Sequence, residues 1–150
     1  LPFDDKSFNA AYMMYTSFGY FEDPADDEKA LKEVSRILVP GGLFVLDIGN
    51  YQRMMRDFNT KISIVIEGIG LRERYKFDSQ RAVVCGVREI KLPDGRKTRH
   101  SFSVQPYGKS DIEQKINAAM MNVGKVYGDY KGSAHTPSSQ RLILVSRKKE

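Results

Sequence analysis

Apolar positions change period twice within the first third of the chain. Phe8, Ala10 and Tyr12, with the run through Met13, Met14 and Tyr15, predict a buried strand after a turn-rich approach at Pro2, Asp4, Asp5 and Lys6. From 25 to 38 the spacing becomes helical. Ala30, Leu31, Val34, Ile37 and Leu38 form one stripe, and Glu28, Lys29, Lys32, Glu33 and Arg36 fall on the water-facing side. Pro40 and Gly41-Gly42 are expected to stop this helix and turn the chain sharply. Leu43 to Ile48 is almost unbroken in its apolar character, as suits a strand covered on both faces. A strand-helix-strand unit in this order is expected to be parallel and right-handed. Two such strands cannot make a doubly wound sheet alone, so further strands must come from elsewhere in the chain or from residues beyond it.

After an expected short helix at 50 to 58 the pattern becomes one of alternation. Ile62, Ile64 and Ile66, then Leu71, Glu73 and Tyr75, then Val83, Cys85 and Val87 predict extended segments, with a phase shift at Ile90 and Leu92 that suggests a bulge. Pro93-Asp94-Gly95-Arg96 is a turn signal, and Ser101 to Gln105 can pair back as the next strand. Residues 62–106 therefore form an expected antiparallel unit of three or four strands, inserted between two parts of an α/β core at 1–61 and 107–150. Such an insertion can act as a lid on a substrate pocket, or it can cover apolar surface or supply a dimer contact. In the last segment Ser110 is placed to cap a helix from Asp111 to about Met120, whose inward stripe is Ile112, Ile116, Ala119 and Met120. Val123 to Tyr130 and Gln140 to Ser146 predict two strands at an antiparallel edge, joined by the loop 131–139.

Composition narrows the setting. At 150 residues, with 41% in the hydrophobic set and 29% charged, the chain is long enough for one sizeable core, and no apolar run reaches membrane-span length. The single Cys85 excludes an internal disulfide and, among Ala82, Val83, Val84 and Val87, reads as a buried reduced thiol, consistent with a cytoplasmic setting. The net charge of +5 is no nucleic-acid footprint, because the excess lies at Lys91 to Lys109 and at Arg147-Lys148-Lys149 without a basic helix or an aromatic-basic motif. The chain does not begin with Met, and nothing at its start has the pattern of a secretory signal.

The order and wording of several short segments resemble the carboxy-terminal half of a class I S-adenosylmethionine-dependent methyltransferase of a bacterial and archaeal small-molecule branch. Leu1-Pro2-Phe3 followed by Asp5-Lys6-Ser7-Phe8-Asn9 resembles the entry to that family's fourth strand, and Thr16-Ser17-Phe18-Gly19-Tyr20-Phe21 the loop after it. Ile37-Leu38-Val39-Pro40-Gly41-Gly42 is similar to its helix-ending segment, with Val39 where a basic residue is usual. Val126 to Tyr130 and Ser139 to Lys148 extend the likeness, while Met120-Met121 stands in place of the usual Gly-Phe. The resemblance implies a partial doubly wound, Rossmann-like α/β sheet with an antiparallel β insertion. It also implies S-adenosyl-L-methionine as cofactor and a small-molecule methyl acceptor. The family's glycine-rich loop and acidic ribose contact have no counterpart here, since Gly68-Ile69-Gly70 lies in an extended pattern and does not open a helix. The resemblance therefore implies about 80 to 100 residues before Leu1, an intact protein of about 230 to 250 residues, and a 150-residue chain that is inactive by itself. The alternative is a noncatalytic binding or interaction protein on the same scaffold.

Candidate site residues follow from this placement. Met14, Tyr15, Thr16, Ser17, Phe18 and Gly19 are expected on the cofactor side, Met14 and Phe18 flanking adenine or sulfonium and Gly19 permitting close backbone approach. The end of a parallel strand is where an open α/β sheet builds its site, which assigns Asp47 as the catalytic group and Asn50 and Tyr51 to the acceptor. The competing role for Asp47 or Asn50 is a cap on the next helix. Tyr127, Asp129, Tyr130 and His135 are expected around the outer pocket, with Asp129 holding Arg141 or a substrate donor. His100, beside Lys97 and Arg99, reads as solvated, and two isolated histidines give no metal-ligand set, so no metal is expected. The exposed sheet or the insertion offers a surface for a homodimer.

Overall fold

The computed structural model describes residues 1–56 and 61–150. It contains two four-stranded sheets. The core sheet is built from β1 (Phe8–Met13), α1 (Pro24–Ile37), β2 (Leu38–Gly49) and the short α2 (Tyr51–Arg56). The second sheet is an uninterrupted meander of β3 (Lys61–Ile66), β4 (Ile69–Asp78), β5 (Val83–Lys91) and β6 (Lys97–Val104). The chain then returns to the core through α3 (Lys109–Ala118), β7 (Met121–Tyr127) and β8 (Arg141–Lys148). Core strand order is β1-β2-β8-β7, with β1 parallel to β2 and the other two pairs antiparallel. The architecture is thus α/β and Rossmann-like, with an antiparallel β insertion.

Local chemistry sets most element ends. Asp23 caps α1, its carboxylate accepting from the Ala25 amide at 2.9 Å, with Pro24 in the first helical turn. Leu31, Val34 and Ile37 are buried on the sheet together with Leu38, Phe44, Leu46 and Ile48 of β2. Ile112, Ile116, Met121, Leu142 and Leu144 close the same core from α3, β7 and β8. The first turn of α3 is satisfied by Asp111, whose carboxylate accepts from the Gly108 amide at 3.2 Å.

Several expectations are corrected. Pro40-Gly41-Gly42 does not end the unit with a turn. Leu38 already leaves the helix as the first residue of β2, and the three residues form an irregularity inside that strand, where the partner of β1 jumps from Leu38 to Leu43 between Phe8 and Ala10. The first strand is not buried and stops at Met13, because β1 is a sheet edge and Tyr15 and Thr16 adopt left-handed backbone, φ 56° and 59°. Asn50 caps α2, which is described to Arg56; positions 57 and 58 of the expected helix lie outside the described residues. The bulge expected near Ile90 is absent, since β5 and β6 pair without a break and Leu92 belongs to the turn, donating to the Arg96 carbonyl at 2.9 Å. β6 therefore starts at Lys97, before the expected Ser101. The cap of α3 is Gly108, with Ser110 inside the first turn. Met120 points outward at φ 61° and Met121 fills the core, so the inward stripe ends at Ala119. β7 starts at Met121 and ends at Tyr127, earlier at both ends than expected, and Cys85 is half-buried.

Candidate active site at the carboxyl end of the core sheet

The parallel strands β1 and β2 deliver their carboxyl ends to the same edge of the sheet, and one acid organises what lies there. Asp47 is the only charged residue in an otherwise apolar strand and has no accessible surface. A buried carboxylate needs partners, and it has three. Arg141 Nε donates to Oδ1 at 2.7 Å, while Oδ2 accepts from the Tyr130 hydroxyl at 2.6 Å and the Tyr15 amide at 2.8 Å. The Asp47 carbonyl also accepts from the Thr16 amide at 3.0 Å, and Arg141 reaches the Thr16 hydroxyl at 3.1 Å. Burial pushes the Asp47 carboxyl up, but Arg141, Tyr130 and the Tyr15 N–H together outweigh it and hold the pKa below the ordinary carboxylate range. The Tyr130 phenol shifts upward, through burial and its bond to Asp47, and stays protonated.

Two consecutive non-glycine residues with positive φ are costly, and here the cost is met by this carboxylate and its own backbone. Tyr15 and Tyr130 present largely exposed rings whose centroids stand 6.0 Å apart, so a pair of aromatic faces overlies the buried acid. Beside them opens a depression of about 620 Å³ lined by Arg53, Asp129, Tyr130, Lys131, Ser138 and Ser139. Its rim is fixed by Asn50, whose amide nitrogen donates to the carbonyls of Thr136, Pro137 and Ser139 at 3.1, 3.2 and 2.9 Å while its oxygen caps α2 through the Gln52 amide.

The structure brings Tyr15, Thr16, Asp47 and Tyr130 into one cluster and sets Asn50 and Asp129 at its border. Other candidates sit elsewhere. Phe18 is core, packed 5.7 Å from the Tyr107 ring, and Gly19 makes its close approach to protein, accepting from the Gln105 amide at 2.7 Å. Met14 is half-buried and Ser17 exposed beside the cluster. Tyr51 shares with Thr16 and Phe18 a cleft of only about 40 Å³ against Val104 to Tyr107. Tyr127 pairs with Ala134 across the loop, and Asp129 accepts from the Lys131 and Ser133 amides at 2.8 and 3.1 Å, so the partner of Arg141 is Asp47 and not Asp129. His135 faces Lys109 and Glu113 of α3. Burial first and then Lys109 lower its pKa, and its Nε2 is buried without a partner. Sequence reasoning named Arg141 only as an alternative partner of Asp129 and missed its pairing with Asp47. Its signal was present, since an acid inside an apolar strand demands a cation from a neighbouring strand.

No group of metal-ligating side chains occurs among the described residues, and no described helix is long and apolar enough to cross a membrane. The family model of a methyltransferase domain matches residues 1–46, which end inside β2. No curated protein matches the chain. Among solved structures, an S-adenosylmethionine-dependent methyltransferase from Clostridium acetobutylicum superposes with a TM-score of 0.84 at 18% identity, all of this chain lying on 61% of that one. The CcbJ methyltransferase from Streptomyces caelestis gives 0.81 at 13% identity, 99% of this chain on 64% of that one. The sugar N-methyltransferase KedS8 from Streptoalloteichus sp. gives 0.69 at 17%, 97% on 57%. At these identities the likeness establishes the fold, insertion included, and the chain spans less than two thirds of the length of these structures.

Proposed function

We propose that the chain is the carboxy-terminal part of an S-adenosyl-L-methionine-dependent methyltransferase that acts on a small-molecule acceptor. The observation that carries this reading is the left-handed Tyr15-Thr16 pair pinned to Asp47, a strained turn at the carboxyl ends of two parallel strands, where open α/β sheets bind their ligands. The residues present fit one wall of a cofactor site. Met14, Tyr15 and Ser17 offer an apolar, aromatic and hydroxyl surface there, and the outer edge of β1 is open to another parallel strand. That edge suits the half of the sheet which the resemblance places before Leu1.

S-adenosylmethionine would supply a methyl group already activated by its sulfonium charge, so the protein's tasks are alignment and exclusion of water. Asp47 is suited to orienting and poorly suited to taking a proton, because both its oxygens are engaged and its pKa is lowered. Tyr130 stands between it and solvent: its O–H is committed to Asp47, which leaves the phenolic oxygen free to accept from an acceptor's N–H or O–H. Asn50 acts through the loop it holds, with Asp129 and Tyr130 on the acceptor side of the depression. In this reading the enzyme is cytoplasmic, the setting that suits a chain with a single reduced cysteine, Cys85.

The test uses the longest natural form of the protein, sized first by intact mass. Calorimetric titration with S-adenosylmethionine is expected to show binding to a form longer than 150 residues and none to the 150-residue chain. Asp47→Asn is expected to lower methyl transfer across an acceptor panel more than it lowers cofactor affinity. Equal loss of both would make Asp47 a structural residue only. A longer form that fails to bind the cofactor would replace this reading with the noncatalytic one.

A further inference from the structure

The insertion ends on one side in a strand with no protection against pairing. Among the described strands β3 pairs with β4 alone, and all six of its residues, Lys-Ile-Ser-Ile-Val-Ile, are exposed, Val65 to 73%. It pairs with β4 without a bulge and contains no proline, and its only charge is at its first residue. The opposite edge, β6, is different: Lys97, Arg99 and His100 punctuate it, the usual means of keeping an edge single. The outer edge of β7 has a bulge between Val123 and Lys125. β3 is thus the antiparallel edge that lacks all these devices.

We propose that β3 pairs with β3 of a second copy of this chain, antiparallel, about a two-fold axis at Ile64. The hairpin fixes the parity. Glu67 and Gly68, at φ 50° and 80°, form a two-residue connection of the I′ kind, which makes Ile66 and Ile69 the hydrogen-bonded closing pair. Because such pairs alternate, Ile62, Ile64 and Ile66 direct their backbone groups to β4, and Lys61, Ser63 and Val65 direct theirs outward. With Ile64 opposite its own copy, Ser63 meets Val65 of the second copy as an outward hydrogen-bonded pair. Ile62 meets Ile66 on the same face. At each end Lys61 stands opposite Glu67 of the second copy, so the register matches opposite charges twice and opposes no like charges. A slip by one residue would break both the hydrogen-bond parity and the charge match. The two meanders would then form one eight-stranded sheet. A six-residue pairing buries less than a stable standard interface, so the association is expected to be concentration-dependent.

Sedimentation equilibrium across a concentration series tests this on the protein in its natural length. A monomer-dimer equilibrium is expected. Ile64→Lys, which opposes two ammonium groups at the axis, should weaken it by about tenfold or more. Ile64→Glu should do the same, and an equimolar mixture of the two variants should dimerise again. In the unmodified protein, hydrogen exchange at the Ser63 and Val65 amides should slow as concentration rises, a readout that needs no substitution. A monomer at every concentration, a dimer unchanged by Ile64→Lys, a dimer broken by Tyr12→Lys on β1 instead, or concentration-independent exchange at Ser63 and Val65 would each overturn the proposal.

Discussion

Asp47 and Asp27 are both sequestered from water, yet their surroundings bias them in opposite directions. Asp47 has an arginine, a phenol and an amide, and its pKa falls. Asp27 accepts from the Tyr107 hydroxyl at 2.7 Å, but its Oδ1 has no partner, and burial raises its pKa more than Tyr107, the Gly19 amide and Lys115 lower it. The signs of the stability effects follow. A carboxyl with a lowered folded pKa contributes stability above the unfolded value of about 3.9 and loses it as pH falls through the folded value. Asp47→Asn should therefore cost about 2 kcal/mol at neutral pH, the scale of a charge-assisted bond, and flatten the acid limb of the stability profile. For Asp27 the raised folded pKa means that ionisation opposes folding. Its stability contribution is present below the unfolded value and lost as pH rises through the folded one. Asp27→Asn is expected to raise stability at neutral pH by on the order of 1 kcal/mol and to remove that slope. Urea unfolding at a series of pH values measures both, and changes in slope of the same sign on the two substitutions would contradict this account.

At the scale of elements, Gly86 in β5 lies under the Phe102 ring of β6, and a Cβ there would run into that ring. The ring also faces Tyr20 and Tyr75 at centroid distances of 6.0 and 6.1 Å, with Arg88 5.5 Å above it. Gly86→Ala alone should cost about 1–3 kcal/mol through overpacking, and less when Phe102→Leu makes room; a double-mutant cycle by denaturant unfolding reads the coupling. The meander was legible because alternation in β3, β4 and β5 is a local signal and the Pro93 to Arg96 turn has a local mechanism. The stripes of α1 and α3 were legible for the same reason. What failed was context. Pro40-Gly41-Gly42 carries the usual marks of a chain turn, yet the neighbouring β1 and β8 keep the backbone extended and turn the signal into an irregularity within β2. Phe18 and Gly19 meet Tyr107 and Gln105, which lie some 85 to 90 positions away in sequence, a pairing no local pattern announces. At the candidate site, Asp47 and Asn50 stand out in the sequence by their place at a strand end, but their partners Arg141 and the 136–139 loop came only from the sheet order.

For the molecule as a whole, the described contacts between insertion and core include the Gly19–Gln105 backbone bond and the Tyr20–Phe102 rings, while Tyr107, where the chain re-enters the core, is anchored by the Phe18 ring and by its hydrogen bond to Asp27. Native-state hydrogen exchange should therefore show the meander opening at lower denaturant than β2 and β8. Tyr107→Phe should widen that gap by about 1 kcal/mol, while uniform exchange across both sheets would show one cooperative unit. The strand order carries a further consequence for how the chain reaches this state. β8 is the last strand in sequence, yet it occupies an interior place in the core sheet between β2 and β7. During synthesis β1, α1 and β2 must wait with an apolar flank uncovered until Arg141 to Lys148 arrive, while the meander, made of neighbouring hairpins, can close at once. The growing chain thus assembles its appendage before its centre, and the residue that completes the centre, Arg141, is the one that neutralises Asp47. Core closure and charge pairing at the site become a single late event.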